Sequence, residues 1–176
     1  MPIKIGVPTE IREGEQRVAL VPDVVKRLVS LGAQVDIQSG AGEKAGWTDA
    51  QYAEATIVSD GSQLLGNADI TLMVNPITSH QIDQLKDGSV LIGYLNPFSE
   101  LDRFEKLASK NVSAFSMEMV PRISRAQAMD ALSSQAAIAG YKAVLMAASL
   151  LGKFFPMLTT AVGTVRPSKV LVIGAT

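Results

Sequence analysis

Among the 176 residues of this chain, those best suited to chemistry fall in one stretch, Pro121-Arg-Ile-Ser-Arg-Ala-Gln-Ala-Met-Asp130, with Ser133 close behind. Arg122 and Arg125 carry planar forks of N–H donors, Asp130 is an acceptor, and Gln127 and Ser133 both donate and accept. Gln127, Asp130 and Ser133 recur at three-residue intervals, so a helical turn would project them from one broad side. A plainer reading stands beside this one. The two arginines would be solvated residues next to a helix start, and Asp130 an N-terminal helix charge favoured by the dipole. The lone histidine, His80, lies near a predicted helix start, where a solvated position is expected rather than catalysis. Met117, Met119, Met129, Met146 and Met157 read as core or interface packing. Gly40 and Gly42 read as a turn rather than a phosphate cradle, because no suitable helix follows closely.

Those residues must be positioned by regular elements, and the first half of the chain repeats a strand–helix rhythm. Lys4 to Val7 reads as a short strand, and Pro22 to Leu31 as a helix with proline in its first turn and Gly32 just past its end. Gln34 to Gln38 alternates like a strand, and a short helix near Thr48 to Glu54 has a threonine cap. Asp69 to Val74, Ser89 to Leu95 and Val112 to Ser116 are apolar runs of strand length, separated by helices near Ser79 to Leu85 and Glu100 to Ser109. The alternation predicts an α/β fold, a parallel-sheet domain with helices on both faces. A long helix follows, about Asp130 to Lys153, ended or kinked by Pro156. Thr159 to Pro167 reads as a crossover loop. Lys169 to Gly174, a lysine, four aliphatics and a glycine, reads as the first strand of an incomplete Rossmann domain, Gly174 opening its phosphate turn. Alone, one glycine after a strand is a weak sign. The expected organisation is an N-terminal α/β domain over 1–128, connecting helices and crossover over 129–167, and the Rossmann strand over 168–176.

Composition narrows the function classes. Hydrophobic residues make up 47% and charged residues 19%, which argues against disorder. A net charge of −1 offers no electrostatic reason to bind nucleic acid or an anionic membrane. With no cysteine there is no disulfide scaffold and no thiolate metal site, and a reducing compartment fits. The opening residues do not form a signal peptide, since Glu10, Arg12 and Glu13 interrupt a short apolar run. The Ala131–Phe155 stretch contains Gln135, Lys142 and Lys153 and many alanines, so a buried helix is expected rather than a membrane span.

Several segments together resemble the alanine dehydrogenase and transhydrogenase alpha-subunit family. They are Ile5-Gly-Val-Pro-Thr-Glu10, Glu15-Gln-Arg-Val-Ala19, Ser39-Gly-Ala-Gly42, Pro121 to Asp130, Ala131-Leu-Ser-Ser-Gln135, Ala139-Gly-Tyr141 and Gly163-Thr-Val-Arg-Pro167. The likeness runs through nearly the whole chain in family order, and Pro121 to Asp130 resembles proton-translocating transhydrogenases in particular. The resemblance implies an NAD(H)-binding subunit that docks on a partner domain holding NADP(H), beside a membrane domain that moves protons. It also implies a homodimer when complete, on the cytoplasmic side and attached to the inner membrane through its partner subunits. By the same resemblance Arg122 and Asp130 hold the nicotinamide carboxamide and ring, Gln127 reaches toward the partner's nucleotide, and Ser133 assists at the nicotinamide end. Hydride transfer between two nicotinamides moves no proton at the reacting carbons, so orientation and exclusion of water matter more than an acid or base.

Two other readings remain. An alanine dehydrogenase resembles this chain at Arg17, which there would bind the substrate carboxylate, and uses a lysine and a histidine where this sequence has Met73 and Asn96. Amino-acid oxidation needs proton transfer, which neither residue performs at neutral pH. The third reading is a non-catalytic truncated assembly module. The 176 residues alone are expected to be inactive and to bind NAD weakly, and Lys169 to Gly174 is expected to be poorly ordered or to pair with another chain.

Overall fold

The computed structural model describes residues 2–174, so Ala175 and Thr176 of the expected Rossmann segment lie outside the described residues. The chain divides into two compact units, 1–130 and 131–176.

The first unit is built on six short strands: β1 (Lys4–Val7), β2 (Gln34–Gln38), β3 (Thr56–Val58), β4 (Ile70–Leu72), β5 (Val90–Gly93) and β6 (Ser113–Ser116). All five pairings are parallel and the order is β3-β2-β1-β4-β5-β6. Four α-helices connect them: α1 (Pro22–Ser30), α2 (Gly61–Asn67), α3 (Ser79–Gln84) and α4 (Leu101–Ser109). The expected strands and helices appear within a few residues of their sequence limits. β3 and α2 were not foreseen, because Thr56–Val58 is too short and too exposed to alternate visibly.

Period-two alternation sends the strands' side chains to two cores. Ile5 and Val7 of β1 join Val35, Ile37, Val25 of α1 and Tyr52 on one face. Gly6 faces the other way: a Cβ there would lie 2.8 Å from Leu64 and 2.9 Å from Ala68, so a glycine is what lets α2 approach. Leu64 and Leu65 of α2, Ile82 of α3 and Leu107 of α4 pack with Leu91 in the second core. Helices therefore cover both faces, as expected, though unevenly. On the α1 face the outer strands are thinly covered, and Phe115 of β6 is 59% exposed. Local chemistry sets the helix starts. Thr78 and Gln81 form a reciprocal capping box before α3, and Asp60 accepts from the Ser62 N–H at the head of α2. Thr48 caps only a single 3₁₀ turn, Asp49–Gln51, in place of the short helix expected there.

The second unit begins with α5 (Ala131–Leu150), close to the predicted long helix. None of its residues is buried, which departs from the expected buried helix; its apolar residues are spread around the axis rather than gathered on one stripe, so no single face is set to bury. No helix among the described residues is long and apolar enough to cross a membrane. The expected crossover loop holds an antiparallel hairpin instead, β7 (Leu158–Thr160) with β8 (Gly163–Val165). Lys169 to Gly174 forms no strand, and Leu171 and Ile173 are exposed. A parallel strand exists only through a neighbour's hydrogen bonds, and the hairpin's two strands pair with each other.

Candidate functional site

The strand order reverses direction at β1 and β4: β1 leads outward to β2 and β3, β4 to β5 and β6. In open parallel sheets the connections diverge there and leave a crevice beyond the carboxyl ends of the strands. The loops after β1, β4, β5 and β6 supply the polar groups at that edge.

Glu10, three residues past β1, is 4% exposed. A buried carboxylate needs donors. It accepts from the Val74 and Asn75 backbone N–H groups at 2.5 and 3.1 Å and from Asn75 Nδ2 at 2.9 Å. The chain leaving β1 is thereby fastened to the chain leaving β4. Asn75 Nδ2 also donates to Glu15 Oε2 at 2.9 Å, bridging two carboxylates. Glu15 in turn takes the Arg17 guanidinium in a fork, Nε to Oε1 at 2.8 Å and Nη2 to Oε2 at 2.7 Å, together with the Gln16 and Arg17 N–H groups. The Arg17 side-chain bonds, partly opposed by burial, hold the Glu15 carboxyl down at about 2, and Glu15 raises the Arg17 value. Charge-assisted, two-point pairing of this kind fixes direction as well as energy.

Tyr94, just past β5, has a buried hydroxyl with no hydrogen-bond partner among the described residues. Burial pushes its phenol up, Arg17 pulls it down, and Glu118 and Asp130 push it up again. It is accordingly a neutral donor at pH 7. Thr9 and Ser116, at the ends of β1 and β6, also carry buried hydroxyls without partners. Thr71 within β4 and Ser89 before β5 likewise have buried hydroxyls without partners among the described residues, and such groups are satisfied by water or by a polar ligand.

The predicted segment hangs from the same edge. After β6, a 3₁₀ turn at Met117–Met119 leads to Pro121, and a second 3₁₀ run covers Ser124–Met129. Ala126, buried, pins that run, whereas Arg122, Arg125 and Gln127 are exposed. Asp130 is half-buried, with φ −77 and ψ 76 breaking the helical path, and within electrostatic reach of Tyr94. One continuous helical face through Gln127, Asp130 and Ser133 is therefore not what forms. The turn at Asp130 separates the 3₁₀ run from α5, on whose first turn Ser133 stands. Ser133 and Gly174 belong to the second unit, where Gly174 adopts φ 81.

Sequence reasoning missed Glu10, Glu15, Asn75, Tyr94 and Glu118 as members of this edge. Acidic residues directly after an apolar strand were a visible signal; their partner sixty residues away was not. Met73 is 5% exposed in the core, and Asn96 takes a left-handed φ of 53 in the turn after β5. His80 is exposed and pairs with Gln84, as expected of a solvated position. A cleft at the opposite end of the sheet, lined by Lys4, Asp69 and Lys86, has its carboxylate already closed by Lys86 at 2.6 Å and the Lys4 N–H at 2.9 Å. It is a structural ion pair.

A profile of the alanine dehydrogenase/PNT N-terminal domain matches residues 6–139, and that of the same family's C-terminal domain matches 143–176. The chain belongs to the alanine dehydrogenase/PNT family. Within it, the chain is 44% identical over 98% of its length to an NAD(P) transhydrogenase alpha-subunit chain of Rhodospirillum rubrum, of which it covers 47%. It is 45% identical to the Cereibacter sphaeroides NAD(P) transhydrogenase subunit alpha, covering 98% of this chain and 34% of that one. An alanine dehydrogenase of Halomonas elongata is 31% identical, over 98% of this chain and 47% of that one. A crystal structure of transhydrogenase from Sinorhizobium meliloti superposes with a TM-score of 0.87 at 36% identity, covering 93% of this chain and 49% of that one. An L-alanine dehydrogenase gives 0.64 at 30%, covering 67% and 33%. The chain thus spans half or less of the family members it matches, and sequence and structure both lie nearer the transhydrogenase branch of the alanine dehydrogenase/PNT family.

Proposed function

We propose that this chain is the N-terminal portion of the NAD(H)-binding alpha subunit of a proton-translocating NAD(P) transhydrogenase. In this reading hydride passes directly from NADH on this subunit to NADP+ on a partner domain, and a membrane subunit couples the transfer to proton movement. NAD(H), when bound, supplies the hydride-bearing nicotinamide ring.

The chain's own residues fit such a ring by donor type. A carboxamide offers one acceptor oxygen and two N–H donors, matched by the exposed Arg122 guanidinium and the Asp130 carboxylate. Gln127, exposed on the 3₁₀ run, has both functions and is available to the partner's nucleotide. Ser133 would contribute at the nicotinamide end, and Gly174 would open the phosphate turn. Tyr94, Thr9 and Ser116 supply buried hydroxyls awaiting a polar partner on the same edge. Tight seating of two rings expels water and leaves orientation as the protein's main contribution.

The observation that carries the proposal is the occupation of the strand ends. Arg17, the group that would bind an amino-acid carboxylate, is forked onto Glu15. By the family resemblance Met73 and Asn96 stand where an amine oxidation needs proton-transfer side chains, and Glu15, held at about 2, is no base at neutral pH. Replacing Arg122 and Gln127 by alanine and Asp130 by asparagine in the full-length protein, assembled with its membrane partners, is expected to lower NADH-to-NADP+ turnover roughly 10–100-fold each. Unchanged turnover in all three would end the proposal, and alanine-dependent NAD+ reduction by the full-length protein would transfer it to the dehydrogenase branch.

A further inference from the structure

Glu118 has a place in this edge that neither its neighbours nor its charge require. It sits on the single 3₁₀ turn between β6 and Pro121, four residues before Arg122. Its two carboxylate oxygens reach across to the end of β5 and accept consecutive backbone donors, the Leu95 N–H at 3.3 Å and the Asn96 N–H at 2.5 Å. Those donors are available because the strand ends there. Leu95 is fully buried, and Asn96 turns into the left-handed region at φ 53. The far side of that turn is also held, since Arg103 of α4 donates to the Leu95 carbonyl at 3.3 Å and Ser99 bonds the Asn96 side chain at 3.1 Å. Leu95–Asn96 is therefore a fixed point of the sheet, and Glu118 ties the next loop to it.

The 121–125 stretch is consequently suspended between two anchors, the Glu118 carboxylate on one side and buried Ala126 on the other. Its arginines, Arg122 and Arg125, are exposed. We infer that Glu118 is a positioning residue for the Arg122–Asp130 segment, setting where Arg122 is presented to the nicotinamide nucleotide. The inference rests on the transhydrogenase reading and adds a residue that touches no substrate.

The test uses the full-length protein in its membrane complex. Glu118→Gln keeps the shape and one acceptor oxygen but turns an N–H group on the backbone donors; Glu118→Ala removes both bonds. Expected is a rise in KM for NADH of about 10-fold in Glu118→Ala and about 3-fold in Glu118→Gln, with KM for NADP+ unchanged. Amide exchange at Leu95, Asn96 and residues 120–125 should quicken about 10-fold in both. A purely structural role would lower the active fraction and the melting temperature and leave both KM values alone; that outcome overturns the inference. If Glu118→Ala does not fold, the Glu118→Gln KM and exchange data decide alone. Arg122→Ala is run alongside. Loss of activity there with normal NADH affinity in both Glu118 variants refutes positioning only, whereas unchanged turnover in Arg122→Ala, Gln127→Ala and Asp130→Asn together refutes the underlying reading.

Discussion

At the scale of single residues, the polar edge of the sheet is governed by what a buried carboxylate demands. Glu10 and Glu15 are both removed from water, and each is stabilised by donors drawn from distant loops. The Glu15 carboxyl is held at about 2, well below its ordinary 4.5, so its contribution to stability is complete above about 4.5 and disappears as the pH falls toward 2. Because the Arg17 side chain is 46% exposed, solvent screens part of the effect, and about 2 kcal/mol at pH 7 is a fair expectation. Urea unfolding of wild type and Glu15→Gln should differ by that amount at pH 7 and converge near pH 2. A difference that persists at pH 2 would mean packing, not charge, is responsible.

At the scale of elements, close approach rather than propensity determines which substitutions the sheet tolerates. Gly93 ends β5 beside β4, and a Cβ there would lie 2.6 Å from the Met73 carbonyl oxygen, a backbone atom that cannot swing away. Gly93→Ala should cost about 2 kcal/mol and lower the melting temperature by several degrees. Gly66, inside α2, meets only the Gln84 carbonyl oxygen at 3.5 Å and is exposed, so Gly66→Ala should stabilise by roughly 0.5–1 kcal/mol through helix propensity. Opposite signs for two glycine-to-alanine changes separate steric from conformational effects in one thermal-melting experiment.

At the scale of the molecule, the two compact units differ in how far they satisfy themselves. The first buries two apolar cores around its sheet. The second exposes Ile138, Val144, Leu145 and Leu150 along α5, and Leu171 and Ile173 beyond the hairpin. On the proposed reading Gly174 is the first glycine of a phosphate turn, and calorimetry of these 176 residues with NAD should then show binding weaker than micromolar. Micromolar affinity would show that the sheet edge alone holds the nucleotide.

The sheet was legible in advance because alternation, proline starts, glycine stops and threonine caps act within a few residues of themselves. Five of the six strands follow from that local grammar; the sixth, Thr56–Val58, has three residues, two of them exposed, and carries too little pattern to be heard. The Arg122–Asp130 segment was equally legible as a run of donors and acceptors, but not as a 3₁₀ turn broken at Asp130. Tertiary structure alone decided that Asn75 joins Glu10 to Glu15 and that Glu118 caps the turn after β5; the Arg17–Glu15 fork spans only two positions and is a local contact. The Asn75 bonds span sixty or more positions and the Glu118 bond more than twenty; no local spacing encodes such a partner. Lys169 to Gly174 shows the same limit from the other side. Its aliphatic run specifies a strand's composition, but a parallel strand is completed only by the neighbour that accepts its hydrogen bonds.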